Sequence, residues 1–89
     1  MIAARDVAVY RSRRVVDMYL YVDETCDPMS LPEDLLRRFG RPVEAMRFKL
    51  AANRSLARVD AKLVLDAIAT QGFYLQLPPT LEERSRDES

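Results

Sequence analysis

The stretch QGFYLQLPP, residues 71–79, closes a helix, begins a strand and then stops that strand within a few positions. Gly72 tolerates the positive φ at which many helices end. Residues 73–77 alternate between two faces, one with Phe73, Leu75 and Leu77 and the other with Tyr74 and Gln76. Pro78 and Pro79 cannot donate to a sheet ladder, so the strand ends there. We therefore expect a strand that runs through the interior of a layered sheet and is then forced out of it.

Three earlier segments also predict strands. Residues 18–22, MYLYV, are β-prone and apolar on both faces, which is typical of a central strand between two packing layers. Residues 6–10, DVAVY, predict a preceding strand, and the short connection between these two favours an antiparallel hairpin. Residues 45–50, AMRFKL, alternate apolar with basic side chains and predict a strand near an edge with one wet face.

Two segments carry helix signals. Within residues 26–42, Ser30 and Glu33 have capping-box spacing, Pro32 lies in the first turn, and Gly40 is placed to end the helix. Asp60 is a good N-cap for residues 61–71, whose apolar positions nearly encircle the helix. The second helix should therefore be the more buried one.

The order of elements is strand, strand, helix, strand, helix and strand, followed by a possible short C-terminal helix in the tail. This order predicts an α+β fold with a four-stranded mixed sheet and helices packed against it. We expect a single domain over residues 1–79, followed by a polar tail over residues 80–89 that is partly disordered or forms one short helix.

Composition limits the class of protein. A chain of 89 residues holds one core, and 48% hydrophobic with 31% charged residues indicates a soluble globular domain. The longest apolar run, residues 18–22, is too short for a membrane span or a signal peptide. A lone Cys26 suits a reducing compartment, so we expect a cytoplasmic protein with no membrane partner.

The motifs YRS (10–12), YLYV (19–22), LPEDLLRRFG (31–40) and QGFYLQLPP (71–79) resemble those of the YcgL-domain family of small bacterial proteins. The resemblance runs from Val7 to Pro79 and implies an α/β/α sandwich and a cytosolic, proteobacterial origin. It brings no established reaction, substrate or ligand. Genes of this family lie beside that of ribonuclease D in some genomes, so the resemblance also implies a link to RNA processing.

The residue types present exclude several chemistries. The chain has no histidine, which excludes serine and cysteine hydrolases with a histidine base and the usual histidine-containing zinc sites. Both glycines lie at predicted helix ends, so no phosphate-binding glycine loop can be drawn. Acidic neighbours disfavour a thiolate at Cys26. We expect no enzymatic activity, no catalytic or metal-ligating residues, and no small-molecule cofactor.

The best candidate for a contact surface is the basic loop after the first strand. It offers guanidinium groups beside an aromatic ring, which suit phosphate and a stacked base, and the end of the first predicted helix carries further arginines. The candidate residues are Tyr10, Arg11, Arg13, Arg14, Arg37, Arg38 and Arg41. The structural alternative is a wet turn and arginines that complement a helix dipole. The sequence favours a non-enzymatic interaction or accessory module with an unknown protein partner, and the alternative is an RNA-binding accessory protein that uses this loop.

Overall fold

The computed structural model describes residues 4–53 and 60–79 and has an α+β fold. The elements in chain order are β1 Ala4–Arg11, β2 Tyr19–Asp23, a short 3-10 turn Pro28–Ser30, α1 Glu33–Phe39, β3 Val43–Ala51, α2 Ala61–Gln71 and β4 Phe73–Gln76. The possible helix in the tail 80–89 lies outside the described residues.

The four strands form one sheet in the order β3-β1-β2-β4, and all three pairings are antiparallel. The predicted mixed sheet is therefore wrong. The hairpin of β1 and β2 occupies the centre, and α2 links β3 to β4 without carrying the chain to the opposite end of the sheet. The chain leaves β3 and enters β4 at the same end of the sheet, so β4 runs opposite to β3 and to its neighbour β2.

The core divides into two clusters, one on each face of the sheet. The cluster beside α2 holds Val7, Leu50, Ala61, Val64, Leu65 and Ile68. The cluster beside α1 holds Ala8, Tyr10, Met18, Leu20, Val22 and Phe39. Successive residues of a strand point to opposite faces, which is why Val7 and Ala8 enter different clusters. The predicted central position of β2 and the predicted edge position of β3 are both confirmed.

Helix α2 packs on the sheet through one face. The Asp60 side chain accepts a hydrogen bond from the Lys62 N–H at 2.9 Å, and Gly72 ends the helix at φ 94°, as the sequence predicts. The expectation that α2 is the more buried helix is confirmed, since it has four buried residues and α1 has one. Its outer face is exposed, with Leu63 at 57% and Ala69 exposed as well. A helix against one sheet buries a single stripe, whatever the apolar content of its outer face.

Helix α1 begins later than its capping signal predicts. Its N-cap is Pro32, and no side chain caps it. The Ser30 hydroxyl instead donates to the Asp27 carbonyl oxygen at 2.6 Å, within the 3-10 turn that Asp27 caps. The predicted capping box is therefore wrong, because the Ser30 hydroxyl is bonded within the 3-10 turn that precedes α1.

Strand β4 lies at an edge of the sheet rather than in its interior. All its residues are half-buried, and the Leu77 side chain that follows is 62% exposed. The expectation of an interior strand is wrong in this respect. One side of β4 pairs with β2, and no strand among the described residues pairs with the other.

Candidate functional site

The loop between β1 and β2 is fastened to the C-terminal end of α1. The buried Ser12 hydroxyl donates to the Phe39 carbonyl oxygen and accepts from the Arg14 and Val15 N–H groups at 3.0 and 2.9 Å. The Arg14 guanidinium donates to the Arg37 carbonyl oxygen at 2.6 Å. The last carbonyls of a helix lack partners within the helix. The loop therefore supplies donors that α1 itself cannot provide.

The fit between this loop and α1 depends on Gly40. This residue has φ 81°, and an added Cβ would lie 2.5 Å from Cγ and 2.8 Å from Cδ of Arg14. The aliphatic stem of Arg14 thus occupies the space that any larger residue at position 40 would need. Packing against Gly40 and the hydrogen bond to the Arg37 carbonyl hold the Arg14 side chain in place, so its guanidinium group stabilises the end of α1 as well as adding charge to the surface.

The other predicted contact residues have different surroundings. The Tyr10 side chain is 7% exposed and belongs to the cluster beside α1, so it has no open face for a stacked base. This part of the prediction is wrong because Tyr10 shares the covered face with Ala8. Arg37 forms exposed ion pairs with Glu33 and Asp34 at 3.6 and 3.4 Å. Arg38 and Arg41 are exposed.

A polar groove of about 320 Å³ lies at the hairpin end of the sheet. Its lining residues are Arg11, Ser12, Arg13, Val16, Asp17 and Tyr19. Tyr19 is half-buried and pairs with Arg11 across the hairpin, which places both side chains on the same face. Tyr19 is not among the contact residues that the sequence predicts, although it lines this groove. The hairpin register is the signal that places it there, since Tyr19 is the aromatic residue opposite the first arginine.

An apolar groove of about 390 Å³ lies between α1 and β4, on the other face of the sheet. Its lining residues are Met18, Asp34, Leu35, Arg38, Phe39, Phe73, Leu75 and Leu77. Asp34 and Arg38 stand four residues apart on α1 and give the rim one charge of each sign. Phe73, Leu75 and Leu77 share one face, as their alternation predicts, but they line this groove and not a closed core, because β4 lies at an edge of the described sheet.

Two charged groups outside both grooves have shifted pKa values. Hydrogen bonds from the Thr25 hydroxyl and N–H hold the pKa of Asp23 below its usual value, with a smaller contribution from Arg5 at 3.3 Å. The hydrogen bond to Glu44 raises the pKa of Arg47 above its usual value. Each shift stabilises the charged form, so these groups hold the strand ends and do not mark an acid–base pair.

Within residues 4–53 and 60–79, no three His, Cys, Asp or Glu side chains are placed to hold a metal ion. The Cys26 thiol is half-buried and lies 3.6 Å from the Asp27 carbonyl oxygen. Neither described helix has the length and apolar character needed to cross a membrane.

Sequence comparisons give close matches over most of the chain. A family model described as YcgL domain matches residues 7–79. A YcgL domain-containing protein of Chromohalobacter salexigens is 47% identical over 74 residues, which cover 83% of this chain and 77% of the relative. One from Pseudomonas aeruginosa is 46% identical over 79 residues, covering 89% and 81%. One from Proteus mirabilis is 44% identical over 75 residues, covering 84% and 77%. These names specify a domain and no reaction.

Proposed function

The chain belongs to the YcgL domain family, and on that premise we propose that it is a small non-enzymatic module that acts by binding a protein partner. The proposal includes the α/β/α sandwich that the family resemblance implies, supported by one helix-lined cluster on each face of the sheet. It also includes a cytoplasmic location, which the single cysteine favours.

The observation that carries the proposal is the apolar groove between α1 and β4. Leu77 is 62% exposed at its mouth, and the half-buried Phe73 and Leu75 line its floor. Apolar surface that stays in contact with water is a source of binding free energy when a partner covers it. An apolar groove rimmed by an acid and a base suits a protein segment better than a polyanion.

A comparison of two leucine variants tests the proposal. Leu77→Lys places a charge at the mouth of the groove, and Leu63→Lys places one on the outer face of α2, where the leucine is 57% exposed. Tagged forms of both variants and of the parent chain are used to recover partners from cells of the native host. We expect Leu77→Lys to lose specific partners that Leu63→Lys retains. Identical recovery by the two variants would contradict a role for the groove.

The polar groove supports RNA binding as a second candidate function. Arg11 and Arg13 flank Tyr19 there, so phosphate-binding groups and an aromatic ring share one surface. Neither arginine forms an ion pair with any residue the structure describes. Guanidinium groups and aromatic rings bind single-stranded nucleic acid without a fixed base sequence.

Fluorescence anisotropy with a labelled single-stranded RNA oligonucleotide tests this second candidate. Binding should weaken steeply between low and moderate salt, because arginines that contact phosphate release counterions. Arg13→Glu should weaken binding by about tenfold or more. Lys62→Glu makes the same change in charge on α2 and should have a small effect. If RNA does not bind at low salt, or if both variants weaken binding equally, the polar groove is not an RNA site.

A further inference from the structure

We propose that the partner of the apolar groove is a second copy of this chain, joined by antiparallel pairing of the two β4 edges. The inference rests on the proposed function in one respect, because both place the partner at the groove between α1 and β4. It goes further by naming the partner and the strand register.

The hydrogen-bond phase of the sheet fixes which residues of β4 face outward. The Ser12 N–H donates to the Met18 carbonyl at 3.0 Å, and the Glu24 N–H donates to the Asp6 carbonyl at 2.9 Å. Backbone groups of even-numbered β2 residues therefore face β1, and those of odd-numbered residues face β4. The register pairs Tyr21 with Tyr74. It follows that the backbone groups of Tyr74 and Gln76 bond to β2, while those of Phe73 and Leu75 point to the open edge. Leu77 comes directly after β4, and continued extended geometry, which the following Pro78 favours, turns its backbone groups to the same edge.

The open edge offers only a short window for pairing. The Gln71 side-chain amide donates to the Phe73 carbonyl oxygen at 2.9 Å, which also confirms that this carbonyl faces away from β2. Pro79, the next residue in the outward phase, has no N–H to donate. Leu77 precedes Pro78, which favours extended geometry. Leu75 and Leu77 are therefore the two residues whose N–H and C=O groups can both bond to an added strand.

A two-fold axis lets both Leu75 and Leu77 form all of their outward backbone hydrogen bonds. With the axis at Gln76, Leu75 of each copy lies opposite Leu77 of the other, and each such pair exchanges both backbone hydrogen bonds. Gln76 then lies opposite its own copy in a non-hydrogen-bonded pair. The leucines of both copies lie on the groove face and cover each other. An isologous contact of this kind closes after one partner is added.

The β3 edge carries features that oppose pairing, whereas in β4 the blocking residues Pro78 and Pro79 come only after residues 73–77. In β3, the same hydrogen-bond alternation turns the backbone groups of Arg47 and Lys49 toward the open edge. The register with β1 also shifts between Val9 and Tyr10, which marks a bulge. Charged side chains and bulges are the usual means by which proteins prevent pairing at an edge. Residues 73–77 carry no charge.

The charges at the groove also favour a self-complementary partner. The rim has one acid and one base, Asp34 and Arg38, and the whole chain has a formal net charge of zero. A strongly acidic or basic partner would gain little attraction from this surface. A second copy presents one acid and one base at the same groove, so that self-association brings together surfaces without an excess of like charge.

Sedimentation velocity on the full chain tests the dimer between about 10 μM and about 1 mM, the range in which weak protein association is measured. We expect the sedimentation coefficient to rise with concentration to that of a dimer. Leu77→Pro removes the outward N–H and should raise the dimer dissociation constant by about tenfold or more. Leu63→Lys should leave it unchanged. Circular dichroism should show that both variants keep the fold, because the Leu77 N–H donates to no strand among residues 4–53 and 60–79.

A disulfide test checks the register. In a Cys26→Ser background, Gln76→Cys places two thiols in a non-hydrogen-bonded pair, where Cα atoms lie about 4.5 Å apart and a disulfide can form. Mild oxidation should crosslink Gln76→Cys far faster than Leu63→Cys in the same background. Equal crosslinking rates would overturn the register.

The two proposals fail in different ways. A chain that stays monomeric throughout the concentration range refutes the dimer, and loss of other host proteins on Leu77→Lys would then still support the proposed function. A concentration-dependent dimer that Leu77→Pro does not weaken also refutes the pairing of β4 edges. If partner recovery and dimerisation are both insensitive to residue 77, the groove has no binding role at all.

Discussion

The Ser12 hydroxyl is the buried contact that joins the hairpin loop to α1, and Ser12→Ala removes it. The Ser12 side chain is 8% exposed and bonds to three backbone groups, as donor to the Phe39 carbonyl and as acceptor from the N–H groups of Arg14 and Val15. Alanine leaves the shape of the backbone unchanged. The variant therefore isolates the loss of hydrogen bonds from any loss of packing.

The expected cost follows from where each partner lies. Phe39 is fully buried, so its carbonyl would lose its partner without access to water, which costs about 1–3 kcal/mol. The two N–H groups are only part-buried and can bond to water, so each loss costs about 0.5 kcal/mol. We expect the free energy of unfolding to fall by about 2–4 kcal/mol. With an ordinary denaturant slope, the urea midpoint should fall by about 1–2 M.

Urea denaturation followed by circular dichroism measures this change, with Ser30→Ala as the matched control. The Ser30 hydroxyl also donates to a backbone carbonyl, that of Asp27 at 2.6 Å, but on an exposed turn. Water can replace that bond, so the control should lose less than about 1 kcal/mol. If both serine variants lose the same stability, burial does not set the cost, and the account of the loop as a cap for α1 is wrong.

Two further predictions concern the backbone and the charged strand end. Gly40→Ala should destabilise the fold more than Gly72→Ala, because both residues have positive φ but only Gly40 has a neighbour within reach of an added Cβ. In thermal melts, adding Arg14→Ala to Gly40→Ala should recover part of the lost stability. Additive losses of stability would refute the clash. The pKa of Asp23 is lowered in the folded protein, so this carboxylate stabilises the fold above its usual pKa near 3.8, and the stabilisation is lost as the pH falls through the lower folded value. Thr25→Ala should raise the pKa of Asp23 in an NMR titration, because it removes the hydroxyl that donates to the carboxylate. An unchanged titration would contradict this cause.

Local signals in the sequence located most elements. Asp60 and Gly72 mark the two ends of α2 because a capping side chain and a residue that tolerates positive φ act within one turn of the helix. Residues 18–22 indicate a central strand because both of their faces are apolar, and the sheet order agrees. Such features depend on neighbours in the chain and need no knowledge of the fold.

The candidate site was harder to predict because exposure depends on distant residues. Tyr10 stands beside an arginine-rich loop, yet it points to the face that α1 covers. Tyr19 lies in the apolar run 18–22, which predicts a buried central strand, yet the hairpin register places it beside Arg11 in the polar groove. Alternation tells which residues share a face, but only the packing of the helices decides which face stays open.

The kinds of elements, their order along the chain and the family can all be read from the amino-acid sequence, because hydrophobic period, caps and motifs are local properties. Long-range packing sets the edge position of β4, the antiparallel direction of all three strand pairings, and the capping of α1 by the loop at Ser12 and Arg14. These facts depend on where α1 and α2 pack, and that packing is set by contacts between residues far apart in the chain. Such contacts leave no periodic signal in the sequence.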